Sequence, residues 1–192
     1  SELLREGYSV PPFVVLSGQT LETFLDTEQG AQRVVSAVQK MLPQSLYVVR
    51  SAAHAEDGIA HSMAGKFQSV LSVTPEDLQS AILTVCLDAQ EKLDSLQHFS
   101  VIIQECIEPD VAGVLFTRDP SGGVNAVIEY TNGFGDTVVG GVGAERVDIF
   151  DTAIQRELFV GYGALLQTAQ AIERKYDFPQ DIEWAVKDGV VF

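Results

Sequence analysis

Residues 47–73 read YVVRSAAHAEDGIAHSMAGKFQSVLSV, two strand-like apolar runs joined by groups too small to build a core. That stretch constrains the fold most: a sheet must hold both flanks, and the small residues between them cannot supply a core. Upstream, FVVL at residues 13–16 follows two prolines and reads as a buried strand. Residues 28–42, EQGAQRVVSAVQKML, place Val34, Val35, Val38, Met41 and Leu42 at helical spacing, and Pro43 stops the element. The run 67–73 alternates, which puts Phe67, Ser69, Leu71 and Val73 on one face and Gln68, Val70 and Ser72 on the other. It leads into the clearest helix of the chain, with Thr74 as the expected N-cap, Pro75 as the first helical residue and acidic residues in the first turn.

Farther on, SVIIQECI, AGVLFTRDP and NAVIEYTNGFG are apolar runs separated by polar or glycine-rich turns, and they read as strands. GALLQTAQAIERKY is amphipathic and helical, and DIEWAVKDGVVF reads as a hairpin that turns at Asp188 and Gly189. This order is not a regular β-α alternation. It predicts an α+β fold, mixed helices and sheets in two lobes: 1–103, holding the loop 47–73, and 104–192.

The bulk numbers limit what such a fold can do. The 192 residues are 46% hydrophobic and 20% charged, which suffices for a packed core and argues against disorder. With 27 acidic residues against 12 basic ones the formal charge is −15, which excludes a general nucleic-acid surface because that needs a basic field. Any phosphate contact must be local. Cys86 and Cys106 each lie in an apolar run without C-x-x-C spacing and are expected to be buried thiols. No run approaches the ~20 apolar residues of a membrane span, and the first residues have no signal-peptide pattern, so a cytoplasmic location is expected.

Three places in the sequence can carry chemistry. Arg50 ends a strand-like run and is followed by Ser51, Ala52 and Ala53, so its planar donors could meet an anion that approaches the backbone closely. On the residues alone, a structural ion pair with Glu56 or Asp57 is the favoured explanation of such an arginine. HSMAGKFQS, with Gly65 and Lys66, could fold its amides over phosphates but matches neither a Walker A sequence nor a dinucleotide fingerprint. In DIEW, Asp181 and Glu183 stand two apart on a strand and so share a face, an arrangement suited to Mg²⁺ bridging to phosphates, although spacing alone favours a solvated strand face. His54, His61 and His98 have no metal-ligand spacing and are expected in turns or at the surface.

Taken in order, VVRSAAHAEDG…HSMAGKFQSVLSV, VIIQECIEPDVAGVLFTRDP, VIEYTNGFGDTVVGG and FPQDIEWAV resemble the N-terminal ATP-binding domain of phosphoenolpyruvate synthase and pyruvate phosphate dikinase, from about Val10 to the last residue. The resemblance implies an ATP-grasp fold that holds ATP between two lobes, with the small-residue stretch as a loop that covers the nucleotide. It implies that Arg50 and Gly65 bind phosphate, that Ser69 supplies a hydroxyl where the family has threonine, and that Gln104, Glu105 and Ile107 form the adenine-side hinge. Arg118 belongs to the matching FTRDP segment and is placed at the nucleotide. Asp181 and Glu183 are implied as ligands of Mg²⁺, with Arg50 and Glu183 as the catalytic pair.

The same resemblance names partners. In the family, a histidine on a swivelling domain attacks the β-phosphate of ATP, AMP leaves, and a further domain binds the phosphate acceptor. The phosphohistidine segment GG-x-x-SHAAI has no match here, nor do the family's opening GGK lysine and closing LQ-x-RP segment, so a partial enzyme without turnover of its own is expected. The competing expectation is a degenerate module that binds nucleotide weakly or serves interaction. Retention of Arg50, Gly65, Gln104, Asp181 and Glu183 together argues for the first.

Overall fold

Two antiparallel sheets, each backed by helices, account for the apolar runs in a computed structural model of the chain, which describes residues 2–53, 67–93, 95–134, 145–149 and 158–192. The chain divides into two units. One is the continuous stretch Pro11–Cys106, and the other combines Ser1–Val10 with Ile107–Phe192.

The second unit begins with a short helix, α1 (Glu2–Arg5), after which the chain enters the first unit at β1 (Phe13–Ser17). Helices α2 (Gly18–Asp26) and α3 (Glu28–Met41) follow, then strands β2 (Tyr47–Ala53) and β3 (Ser69–Val73), helix α4 (Leu78–Lys92) and strand β4 (Phe99–Glu105). The sheet order is β1-β4-β2-β3. Alternation along β2 and β4 sends Tyr47, Val49, Phe99, Val101 and Ile103 into a core with Leu21 and Phe24 of α2, Val34 and Val38 of α3, and Leu78, Ile82 and Val85 of α4. Each such side chain contributes about 1.5–3 kcal/mol by leaving water. Cys86 is wholly buried there, and desolvation pushes its thiol up to about 11. Cys106, past the end of β4, is half-buried, contrary to the expectation of full burial.

Thr27 separates α2 from α3 and caps the latter, its Oγ1 accepting a hydrogen bond from the Gly30 amide at 3.0 Å. Capping residues of this kind contribute about 1 kcal/mol. Thr27→Ala is therefore expected to lower the unfolding free energy by about that amount in urea titration, and an unchanged midpoint would show that the cap is idle. Helix α2 itself has no counterpart in the sequence pattern, because its nine residues offer only Leu21 and Phe24 as a buried helical pair.

Two details differ from expectation. Helix α4 starts at Leu78 rather than Pro75: Thr74 Oγ1 donates to Asp77 Oδ2 at 2.9 Å and accepts from the Asp77 amide at 3.3 Å, which closes a turn ahead of the helix. In β3 the pairs Tyr47–Val73 and Val49–Val70 leave one extra residue on the β3 side, a bulge with Ser72 at φ 52°. The bulge breaks the expected alternation. Ser69, beyond it, is exposed while Val73 is buried.

The second unit carries β5 (Val111–Phe116), β6 (Ala126–Asn132), β7 (Glu145–Ile149), helix α5 (Tyr162–Tyr176), β8 (Asp181–Lys187) and β9 (Val190–Val191), in sheet order β7-β6-β5-β8-β9. Helix α5 covers one face with Tyr162, Leu165, Leu166 and Ala169 against Leu115, Ile128, Trp184 and Val186. Phe159 stacks on Trp184 with centroids 4.9 Å apart. The β8–β9 turn places Asp188 at φ 49° and Gly189 at φ 77°, the left-handed pair of a tight hairpin, as expected. Helix α1 joins this unit through charge: Lys175 of α5 donates to Glu2 at 2.9 Å and to Glu6, and Tyr176 OH donates to Glu2 Oε2 at 3.1 Å. No described helix is long and apolar enough to cross a membrane.

Candidate nucleotide site

In the first unit the helices cover one face of the sheet, and strand alternation sends Arg50 to the other, since its neighbour Val49 lies in the core. Arg50 pairs in register with Ser69 on β3 and with Ile102 on β4, and Ile102 pairs with Val15 on β1. The predicted arginine and hydroxyl are therefore cross-strand neighbours. Residues directly opposite on adjacent strands have Cβ atoms about 5 Å apart, a span that one phosphate group can bridge. The Arg50 Nε is buried and the side chain half-buried, so its charge acts in a medium where attraction to an anion is stronger than in water.

Gln104 shares that face at the next position along β4, opposite Val48 and Phe13. Its Nε2 donates to the Pro11 carbonyl at 3.4 Å. The following amides are committed, Glu105 N to Pro12 O at 2.9 Å and Cys106 N to Leu46 O at 3.0 Å, so Glu105 is tied to the prolines that precede β1. Ile107 is half-buried at the start of the second unit's long segment. Gly65 lies outside the described residues, as do Lys66, His54 and His61. His98 is exposed in the turn before β4.

In the second unit, the face turned away from α5 carries the acidic pair. Asp181 and Glu183 are both exposed and lie opposite Phe116 and Val114 of β5. Two residues of strand separate their Cα atoms by about 6.6 Å. Arg118 is exposed two residues beyond β5, and Thr117 fastens that stretch to β8: its amide donates to Gln180 O at 2.9 Å and its Oγ1 accepts from Gln180 N at 2.8 Å. Arg118 thus stands beside the strand end where Asp181 begins.

Further charged groups occupy this face without having stood out in the sequence. Register carries Glu183 to Val114, Val114 to Glu129 on β6, and Glu129 to Arg146 on β7. Arg146 donates from Nη1 to Glu129 Oε1 at 2.8 Å and from Nη2 to Asp119 Oδ1 at 3.1 Å. Hydrogen bonds from Ser121, with the Arg146 guanidinium beside them, hold the Asp119 carboxyl below the usual carboxylate range. The only local signal was Asp119 itself, inside the FTRDP run.

Among the described residues no three or more His, Cys, Asp or Glu side chains gather as a metal cage. Two exposed carboxylates sharing a strand face do fit Mg²⁺ of the kind that keeps several waters and arrives bridged to phosphates, since such an ion takes only one or two carboxylates from the protein.

Comparison with known proteins bears on the same residues. Residues 25–156 match the family described as pyruvate phosphate dikinase, AMP/ATP-binding domain. That segment includes Arg50, Gly65, Ser69, Gln104 and Arg118 and ends before Asp181. Prodigiosin synthesizing transferase PigC of Serratia marcescens is 32% identical over 75% of the chain and 21% of its own length. A probable phosphoenolpyruvate synthase of Archaeoglobus fulgidus is 23% identical over 78% of the chain and 26% of its own length. The chain therefore spans about a quarter or less of these relatives. Among solved structures, D-alanyl-alanine synthetase A of Vibrio cholerae superposes with a TM-score of 0.54 at 11% identity, over 100% of this chain and 51% of that one. At that identity the likeness is one of fold, the ATP-grasp arrangement of mixed helices and antiparallel sheets. With well over half its residues matched, the chain belongs to the pyruvate phosphate dikinase AMP/ATP-binding domain family.

Proposed function

We propose that the chain binds Mg-ATP and presents its β-phosphate to a histidine carried on another domain of a longer dikinase-type phosphotransferase. The observation that supports this reading most is the opposition of Arg50 and Ser69 on the strand face turned away from α2, α3 and α4, inside the segment matched to an AMP/ATP-binding domain. Arg50 would take phosphate oxygens through its planar fork and Ser69 would add a hydroxyl donor. Gly65 would bring backbone amides to the phosphates, and Gln104, Glu105 and Ile107 would meet the adenine. Asp181 and Glu183 would hold Mg²⁺, which when bound supplies neutralisation of polyphosphate charge.

The chain's part in catalysis is then positioning. Arg50 and Arg118 set the triphosphate in place, and Glu183 with Asp181 fixes the charge around it. In the transfer, an imidazole nitrogen forms a bond to the β-phosphorus, the P–O bond to the α-phosphate breaks, and its electron pair departs on AMP. The two relatives above differ in name, and on this reading the phosphate acceptor would be bound by another domain of the longer enzyme.

Calorimetric titration tests the reading. Mg-ATP is expected to bind about tenfold or more tightly than Mg-GTP, and ATP affinity should fall when Mg²⁺ is chelated. Equal binding of both nucleotides without Mg²⁺ dependence would overturn the hinge and carboxylate assignments and favour a degenerate module.

A further inference from the structure

Arg118 sits between two anchors. On its N-terminal side Thr117 makes the paired hydrogen bonds to Gln180. On its C-terminal side, Asp119 Oδ1 accepts from the Ser121 amide at 2.9 Å, from Ser121 Oγ at 2.7 Å and from Arg146 Nη2 at 3.1 Å. The Asp119 backbone closes the same turn, its amide donating to Asn125 O at 2.8 Å and its carbonyl accepting from Gly122 N at 3.1 Å. Gly123 packs so tightly that a Cβ there would lie 2.8 Å from Asp119 Oδ2. Of the contacts described at Asp119, one ties this end of the turn to a distant strand, as Thr117 ties the other end to Gln180 beside β8. The contact at Asp119 comes from Arg146, whose other arm is fixed on Glu129 of β6.

We infer that Arg146 is a positioning residue that acts through Arg118: by bridging Glu129 and Asp119 it holds the turn 117–123 so that Arg118 stands on the face of Asp181 and Glu183. The inference rests on the nucleotide reading above and extends it to a residue 28 positions along the chain from Arg118. A guanidinium is suited to the task because two of its nitrogens can serve two carboxylates at once, whereas a lysine is a point charge with no fixed fork. Arg146 also balances two of the negative charges on this face.

A double-mutant cycle in the 192-residue chain tests it, with Mg-ATP titration and amide hydrogen exchange as readouts. Arg146→Met is expected to weaken Mg-ATP binding about fivefold and Arg118→Met about tenfold, with the double variant no weaker than Arg118→Met alone. Arg146→Lys should fall between wild type and Arg146→Met. Exchange at the Asp119 and Ser121 amides should quicken in Arg146→Met while the core of α5 stays protected. Wild-type affinity in Arg146→Met, full additivity in the double variant, or unchanged exchange in the turn would each overturn the role. A wild-type chain that binds no nucleotide instead removes the underlying nucleotide reading and, with it, any action through Arg118. Because the Arg146 side chain is 42% exposed, loss of its contacts to Glu129 and Asp119 should leave the fold intact, and the exchange pattern checks that directly.

Discussion

Replacing Glu183 with glutamine in the longer phosphotransferase proposed above is expected to slow turnover about a hundredfold or more while leaving the melting temperature almost unchanged. The substitution keeps the shape of the side chain and removes one negative charge from a strand face where Asp181 stands two residues away. If the pair neutralises metal and polyphosphate together, the loss falls on transition-state stabilisation, a few kcal/mol. Folding has little at stake, because Glu183 is exposed and sits opposite Val114 on the face away from α5. Relief of repulsion between like charges could raise the melting temperature slightly. Steady-state kinetics together with a melting curve decide the matter: wild-type turnover with an unchanged Mg²⁺ requirement would remove Glu183 from the site.

Gly113→Ala is expected to do the reverse, costing about 3 kcal/mol or more of stability in the second unit. Gly113 lies in the middle of β5, between Tyr130 on β6 and Trp184 on β8. A Cβ built there would fall 2.0 Å from the Glu129 carbonyl oxygen and 2.8 Å from the Tyr130 Cα, both backbone atoms that no rotamer change can move. The β5–β6 ladder must therefore shift, and with it the Glu129 that Arg146 grips. Urea unfolding followed by the fluorescence of Trp184, the chain's one tryptophan, reports on this unit directly. A midpoint equal to wild type would mean that the strands can part by an ångström at no cost, against the close packing of their interior.

Much of this architecture was legible from local pattern. The Asp188 and Gly189 turn, the amphipathic run that became α5 and the β2 strand each depend on residues close in sequence, so periodicity and turn chemistry suffice. Likewise, Asp181 and Glu183 share a face simply because a strand has period two. What escaped is decided at long range or lacks an apolar run. Strand β7 reads ERVDI, with three charged residues among its five, so it lacks the apolar run that marks β1. The bulge in β3 arises from its pairing with β2, which no reading of one strand can supply. Arg146 meets Glu129 17 residues away and Asp119 27 residues away, and only the sheet brings them together. The start of α4 departs from the local pattern for a different reason: Thr74 does have the chemistry of a cap, but it spends that chemistry on a turn ahead of the helix.

The unequal continuity of the two units has a consequence for biosynthesis. Pro11–Cys106 is one uninterrupted stretch, so all of its strands and helices are present once Cys106 has emerged from the ribosome. The other unit is split, and α1 emerges well before the α5 residues it pairs with. Glu2 must wait for Lys175, 173 residues later, before its ion pair can form. Domains generally fold as units during synthesis, N-terminal ones first, at about 5–20 residues per second. The continuous unit can thus be complete while α1 still waits for α5, so a segment made before that unit is fastened only after it.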